Sequence, residues 1–405
     1  MRKIRLIIVG LLYLQAITFV QAQEILTELI KENHYNIQPT KESFSGKGWE
    51  KVLQAAQKHK YFLIGEDHGF AEVPKLTAAL AKQVNYQVFV SEIDSVTASL
   101  MQELAQKSAA DIQQFHQQNP SALSFYSAVE EFELAKLLAK QGAAFWGLDQ
   151  VSLFSTGLVL RQLAKKASGK KVKSLALQLS EKSDNLFRES AKTGKYDNIF
   201  IFSTPKSTLD QLEKACVNEN AQAKALLREL LITWKIYNKA GHKRRIAHMK
   251  QKLLNYYFAQ RSKAQKGSKV LFKFGANHVA KGKSLLSSYD IGNLLANLAH
   301  AENEQTYHLM IVGKTGVANS FLPTKGMNQT RFDIANKKNP LNGLTPFYGQ
   351  LKQEGWAFFD LKPIRKKLNK KRVFVKSKIL ERVIQGYDGL IIIPEVQASH
   401  LLPKR

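Results

Sequence analysis

Four short segments each place an acidic or imidazole side chain just after a run of apolar residues that predicts a β-strand. The side chains are Glu66 and His68 after the first run, Glu92 after the second, Asp149 after the third and His278 after the fourth. In a mostly parallel sheet the carboxyl ends of the strands share one edge, and ligands bind in the crevice there. Three carboxylates and two imidazoles in one crevice are the composition of a hydrolytic or metal site. Because like charges repel, such a cluster is costly to assemble without a function.

The segment Gly65-Glu-Asp-His-Gly69 is the most informative of the four. Its two glycines allow the chain to turn sharply from a strand into a helix. Glu66 and His68 are two residues apart, so both can face the crevice while Asp67 faces away. The alternative is a polar turn in which Asp67 or His68 caps the following helix.

The other three residues also have alternative interpretations. Glu92 ends an apolar strand and either faces the crevice or pairs with one of the many lysines. Asp149 either joins the site or caps a helix that starts near Val151. His278 lies in a loop bracketed by two glycines, where it could instead be a histidine with only local contacts.

Arg245 precedes the fourth strand on a predicted helix and shares a helical face with His248. A guanidinium near the carboxylates would offset their repulsion or hold an oxyanion. A solvated basic face is the alternative. The chain has no Gly-x-Ser-x-Gly elbow and no phosphate-binding glycine loop after a strand. These absences disfavour a serine hydrolase and a nucleotide-binding protein.

The alternation of strands and helices predicts an α/β fold with a mostly parallel central sheet flanked by helices. Residues 151–265 contain no strand pattern and predict a long helical insertion that caps the crevice. Residues 301–405 are expected to complete the sheet, with an irregular stretch at 315–350. We therefore expect residues 23–405 to form one α/β domain.

Residues 1–22 are typical of a signal peptide, with Arg2, Lys3 and Arg5 before the apolar run Leu6–Val20. Cleavage would leave Gln23 as the first residue and place the protein in the periplasm or outside the cell. No later stretch reaches the roughly 18 apolar residues of a spanning helix, so no transmembrane anchor is expected. The single cysteine, Cys216, allows no intrachain disulfide.

The chain is strongly basic, with 60 Lys and Arg against 33 Asp and Glu and a net charge of +27. This charge would favour association with an anionic envelope surface. The basic residues are dispersed along the chain and are not interleaved with aromatic residues, so a nucleic-acid partner is disfavoured. The expected partner is a small-molecule or peptide substrate.

The ordered motifs identify a family resemblance. Gly-Glu-x-His-Gly, a strand ending in Glu92, Gly-x-Asp149, Arg245-x-x-x-Met and Gly-Ala-Asn-His278 resemble the erythromycin esterase, ChaN-like and TIKI–TraB superfamily, and most closely its exported erythromycin-esterase-like members. The resemblance spans roughly residues 60–300 and is specific as an ordered set. Beyond it, only the final strand of the chain matches.

The resemblance implies an α/β core with long helical insertions and a hydrolase that opens an ester, a lactone or a related carbonyl. His68 would be the general base, with Glu66, Glu92 and His278 around it. From the residues, Asp149 would fix the imidazoles or a metal, and Arg245 would hold the oxyanion. The family leaves the cofactor open: none, a divalent metal held by Glu66, His68, Glu92 and His278 as in TIKI-like proteases, or haem as in ChaN-like proteins.

Overall fold

The structure is a computed structural model that describes residues 23–261, 268–320, 329–352, 355–371 and 375–402. The predicted signal peptide, residues 1–22, lies outside the described residues. Among the described residues, no helix combines the length and the apolar character that a membrane span requires.

In the part of the chain that the structure describes, ten strands form one sheet. They are β1 (His34–Pro39), β2 (Phe44–Ser45), β3 (Tyr61–Glu66), β4 (Val88–Ser91), β5 (Ala144–Gly147), β6 (Val270–Gly275), β7 (Thr306–Asn319), β8 (Gln329–Asp333), β9 (Trp356–Asp360) and β10 (Gly389–Val396). Their order is β2-β1-β9-β10-β7-β3-β6-β4-β5, with β8 paired to β7. Pairing is parallel from β10 to β5 and antiparallel at β9, β1, β2 and β8. The predicted mostly parallel α/β sheet is confirmed.

The helices lie between the strands along the chain. They are α1 (residues 23–32), α2 (Lys47–Lys58), α3 (Glu72–Gln83), α4 (Ser95–Leu104), α5 (Ala109–Gln118), α6 (Val129–Lys140), α7 (Thr156–Lys166), α8 (Lys170–Thr193), α9 (Phe200–Ser203), α10 (Lys206–Ala215), α11 (Ala221–Lys235), α12 (Gly241–Arg261), α13 (Ala276–Val279), α14 (Ile291–Ala301), α15 (Thr345–Tyr348), α16 (Leu361–Lys371) and α17 (Lys378–Gly386). A π-helical turn, Ile236–Ala240, separates α11 from α12.

The central strands are buried because helices cover both faces of the sheet, as parallel sheets require. All six residues of β3 are buried. Its side chains alternate between the faces: Leu63 joins one apolar core, with α12, α14, α16 and α17, and Ile64 joins the other, with α2, α3 and α6. The sheet therefore has no solvated face at the strands that carry the candidate site.

Register places the ends of these strands together. Glu66 lies opposite Gly275 of β6, and Ser91 of β4 lies opposite both Lys273 of β6 and Gly147 of β5. The residues that follow β3, β6, β4 and β5 therefore emerge side by side at one edge.

Helices α7 to α12 all lie between β5 and β6 in the chain. Helices α7 to α11 share an apolar cluster of their own, which includes Val159, Leu163 and Leu227, whereas α12 packs on the sheet. This is the stretch in which we expected the helical insertion.

One expectation about local structure was wrong. The stretch 315–350 is less irregular than expected, because β7 runs on to Asn319 and pairs with β8. Residues 23–45 contain α1, β1 and β2, and β1 extends the sheet by pairing with β9. Helix α14 begins at Ile291, where the Asp290 carboxylate accepts a hydrogen bond from the Ile291 amide.

Gly147 generates a stability prediction. A Cβ at this position would lie 2.3 Å from the carbonyl oxygen of Asp94 and 2.7 Å from that of Ile93. Backbone atoms cannot rotate away, so Gly147→Ala should lower the free energy of unfolding by about 1–3 kcal/mol. Gly282→Ala is the matched control, since its Cβ would meet nothing within 4 Å. Urea unfolding of both variants measures this; equal midpoints would contradict the close approach at Gly147.

Candidate active site

The candidate residues lie at the carboxyl edge of four neighbouring strands. Glu66 is the last residue of β3, Glu92 follows β4 directly, and Asp149 lies two residues after β5. His278 lies in the short helix α13 directly after β6. The end of each strand is buried, and the site side chains stand at or just after these ends.

The Glu92 carboxylate is the centre of the cluster. It is 6% exposed. Its Oε2 accepts the Gly275 amide at 2.7 Å and lies 3.3 Å from His68 Nε2. Its Oε1 accepts Arg245 Nη2 at 2.6 Å and lies 3.2 Å from His278 Nε2. One buried carboxylate therefore holds two imidazoles, one guanidinium and one backbone amide.

His68 lies between two carboxylates. Its Nδ1 is 2.9 Å from Glu66 Oε1, and its Nε2 faces Glu92. Its ring stacks on Phe125 with the centroids 4.0 Å apart. Burial alone would lower the pKa of His68, but the charges of Glu92 and Glu66 and their hydrogen bonds raise it to about 9. The side chain remains 26% exposed, more than either carboxylate that holds it.

His278 is held in the same way. Its Nδ1 is 2.8 Å from Asp290 Oδ2, and its Nε2 faces Glu92. Burial lowers the pKa of His278 and Arg245 repels its proton, but Glu92 and Asp290 outweigh both and raise the pKa to about 10. Both imidazoles are therefore protonated at neutral pH. The pKa of Glu92 lies well below its usual value because the two imidazolium groups outweigh its burial.

Arg245 joins the cluster from α12. Its Nε donates to Asp149 Oδ1 at 2.9 Å, and its Nη2 donates to Asp149 Oδ2 at 2.5 Å and to Glu92. The alternative of a solvated basic face is therefore wrong for Arg245. Asp149 is not a helix cap, because α7 begins only at Thr156. His248 is not part of the cluster; it lies 3.6 Å from Glu229.

A cavity of about 440 Å³ opens beside the cluster. Its wall combines residues that follow the strands with residues of the region 151–265. The lining residues are Glu92, Ile93, Ser124, Phe125, Asp149, Gln150, Ser152, Leu153, Phe154, Ile236, Tyr237, Gly241, His242 and Arg245. Glu92, Asp149 and Arg245 thus contact the cavity directly, whereas His68 and His278 reach its wall through Glu92.

Sequence reasoning missed three buried charged residues: Asp290, which holds His278, and two residues under the site. Lys273 lies within β6 and donates to Glu66 at 2.7 Å and to Glu131 of α6 at 2.6 Å. A lysine between Phe272 and Phe274 in an otherwise apolar strand was the available signal. Glu131 gave none, because acidic residues are common in the first turn of a helix.

The geometry does not fit a metal ion. Among the described residues, no three or more His, Cys, Asp or Glu side chains are grouped to hold a metal ion. Arg245 lies between Glu92 and Asp149, and Lys273 lies between Glu66 and Glu131. The protein's own cations therefore neutralise these carboxylates, which need no metal ion for charge balance.

Comparison with solved structures supports this architecture. A mutant of the erythromycin esterase EreC in its open conformation superposes with a TM-score of 0.56 at 14% identity, covering 88% of this chain and 95% of that one. The fold is erythromycin-esterase-like. A protein described as a succinoglycan biosynthesis protein gives a TM-score of 0.53 at 16% identity, covering 94% and 99% of the two chains. A Bacillus cereus protein gives 0.51 at 15%, with the same coverage.

No family model matches the chain, and no curated protein matches it. At 14–16% identity the erythromycin-esterase-like likeness establishes the fold and leaves the chemistry to the site itself.

The raised histidine pKa values predict how stability depends on pH. His68 and His278 bind protons more tightly in the folded chain than in the unfolded chain, where the pKa is 6.5. Their ion pairs with Glu92 therefore stabilise the fold fully below about pH 6.5, and this contribution is lost as the pH rises through about 9–10.

We expect the free energy of unfolding to fall between pH 7 and pH 9.5 in the wild type and to fall less steeply in Glu92→Gln. Urea unfolding at a series of pH values measures both slopes. Parallel slopes would show that Glu92 does not raise the histidine pKa values.

Proposed function

We propose that this protein is an exported hydrolase that attacks an ester or lactone carbonyl with water. One observation carries the proposal: the partly exposed His68 imidazole is clamped between two buried carboxylates beside a cavity. The erythromycin-esterase-like fold supports it. The position of Arg245 and Lys273 between the carboxylates favours this reading over a metal-dependent protease.

His68 would serve as the general base. Glu66 fixes Nδ1, which leaves Nε2 as the atom that takes the proton from water. Glu92 lies 3.3 Å from Nε2, so it stabilises the imidazolium that forms and can orient the attacking water. The same imidazolium then returns its proton to the leaving oxygen as the tetrahedral intermediate collapses.

Two cationic groups would stabilise the oxyanion, Arg245 directly and His278 through its charge alone. His278 is protonated at neutral pH, but its two ring nitrogens face Glu92 and Asp290, so it does not donate to the substrate. Arg245 lines the cavity and has its guanidinium fixed by Asp149 and Glu92. Cationic donors that are fixed before the reaction stabilise developing negative charge without reorganising.

The rest of the cavity wall would contact the acyl or alcohol portion of the substrate. Leu153, Phe154 and Ile236 from the region 151–265 provide apolar surface, and Tyr237 and Gln150 provide polar groups that hydrogen-bond to each other at 3.1 Å. This mixture suits a compact neutral substrate with an apolar portion. We therefore assign substrate choice to the helical insertion.

Substitution of His68 or Glu66 should strongly slow hydrolysis. We expect His68→Ala and Glu66→Gln each to lower kcat by about 10²–10⁴-fold, since each removes part of the general base. A screen of chromogenic esters and lactones, followed by steady-state kinetics on the best substrate, measures this.

Two further variants serve as controls for rate and for substrate binding in that screen. His300→Ala removes an exposed histidine at the end of α14 and should leave the rate unchanged. Phe154→Ala removes apolar cavity wall and should raise KM with little change in kcat. The proposal fails if the wild type turns over no ester, lactone or peptide, or if His68→Ala retains the wild-type kcat.

The rate should depend on the protonation of His68. Only the neutral imidazole is a base, and its pKa of about 9 keeps it mostly protonated at pH 7. We expect kcat/KM to rise about tenfold per pH unit from pH 7 and to level off near pH 9. In Glu92→Gln the plateau should begin at a lower pH, because one carboxylate that raises the pKa is gone. A pH-independent rate between 7 and 9 would exclude His68 as the base.

A further inference from the structure

The ammonium group of Lys273 is buried beneath the proposed base. Lys273 is 3% exposed and occupies the middle of β6, between Phe272 and Phe274. Removing an ammonium group from water is costly unless charged partners compensate. Its partners are Glu66 on one side and Glu131 on the other. An apolar residue would fill this strand position at lower cost, so the charge itself calls for an explanation.

A continuous series of hydrogen bonds connects α6 to His68, beside the cavity. Glu131 Oε1 accepts Lys273 Nζ at 2.6 Å, and Lys273 Nζ donates to Glu66 Oε1 at 2.7 Å. The same Glu66 oxygen lies 2.9 Å from His68 Nδ1. Lys273 and His68 therefore share one acceptor atom, Glu66 Oε1. The more Lys273 neutralises the Glu66 carboxylate, the weaker the ion pair between Glu66 and the His68 imidazole.

Glu131 lies at the end of this series of hydrogen bonds that is farthest from His68. It is 3% exposed, and in the described part of the chain its Oε2 has no hydrogen-bond partner. Burial and the charge of Glu66 raise the pKa of Glu131 to about 7, against the opposing effect of Lys273. When Glu131 is ionised, Lys273 pairs with both carboxylates and neutralises Glu66 only in part. When Glu131 is neutral, Lys273 pairs mainly with Glu66.

We propose that Lys273 and Glu131 are positioning residues that fix the Glu66 carboxylate and set the proton affinity of His68. Their role in catalysis rests on the proposed function of His68 as general base. Neither residue lines the cavity, so both act through Glu66.

Other charged groups surround His68 and remain unchanged in the variants described next. Glu92 carries Arg245 and His278 on its far side. Asp67 precedes His68 in the chain, and burial raises the pKa of its carboxyl to about 6. Tyr126 lies near Glu131 and Glu66, and burial keeps its hydroxyl protonated. Any difference between variants at Lys273 and Glu131 therefore reports on this pair.

Removing Glu131 and removing Lys273 should shift the pKa of His68 in opposite directions. Glu131→Gln leaves the whole Lys273 charge on Glu66, which weakens the pairing of Glu66 with His68 and lowers the pKa of His68. Lys273→Met removes a neighbouring cation and raises that pKa, even if Glu131 then takes up a proton. We expect the two variants to differ by about one pH unit or more, as for other charges at this range.

The test is an NMR titration of the His68 ring in the full chain, with its resonance identified by its loss in His68→Asn. Glu131→Gln should give the lowest His68 pKa. Lys273→Met and the double variant Glu131→Gln/Lys273→Met should both titrate above it, and at the same pH as each other where Glu131 is protonated in Lys273→Met. Glu133→Gln is the matched control on α6, because this exposed side chain pairs with Lys136 at the surface. It should titrate as the wild type does.

Equal pKa values in the three variants, or the reverse order, would overturn the proposal, since a role in packing alone predicts no opposite shifts. If Lys273→Met does not fold, the double variant replaces it and must titrate above Glu131→Gln. The titration needs no substrate. A failure here with hydrolysis still lost in His68→Ala would therefore overturn this inference alone, and ordered shifts without any turnover would overturn only the proposed function.

Discussion

The structure depends on the burial of carboxylates at the end of a parallel sheet. Glu66, Glu92 and Asp290 are each at most 6% exposed, and their repulsion would unfold the edge if they were not paired. The chain compensates with its own cations. Glu92 meets Arg245, His68 and His278, and Glu66 meets Lys273 and His68. The mutual neutralisation of these charges is also what makes the two imidazoles strongly basic.

Several elements must cooperate to maintain this arrangement. The register of β3, β6, β4 and β5 aligns the strand ends, and Gly275 allows the imidazole to approach, since a Cβ there would lie 2.9 Å from His68 Nε2. Helix α12 supplies Arg245 after a π-helical turn at Ile236–Ala240, a distortion that often occurs at functional sites. The region 151–265 thus provides both a cavity wall and the guanidinium that balances Glu92 and Asp149.

The sequence predicted the sheet and the positions of the site residues because both follow from local patterns. Apolar runs define buried strands, and a polar residue directly after such a run must lie at the edge. Arg245 was a candidate, but its partners depend on tertiary packing. Lys273 and Glu131 were missed because helical and strand patterns assign a charged residue to the surface by default. The sequence pattern could not predict β1, β2 and β8, because the residues of these strands are mostly polar and β1 joins the sheet by pairing with the distant β9.

The most direct test of His68 as the general base compares two titrations of the wild-type protein. One is the NMR titration of the His68 ring, and the other is the pH dependence of kcat/KM on a single chromogenic ester. If His68 is the base, both should give the same pKa, close to 9. A ring that titrates near the ordinary value of about 6.5, or a kinetic pKa that does not coincide with that of the ring, would contradict the central claim.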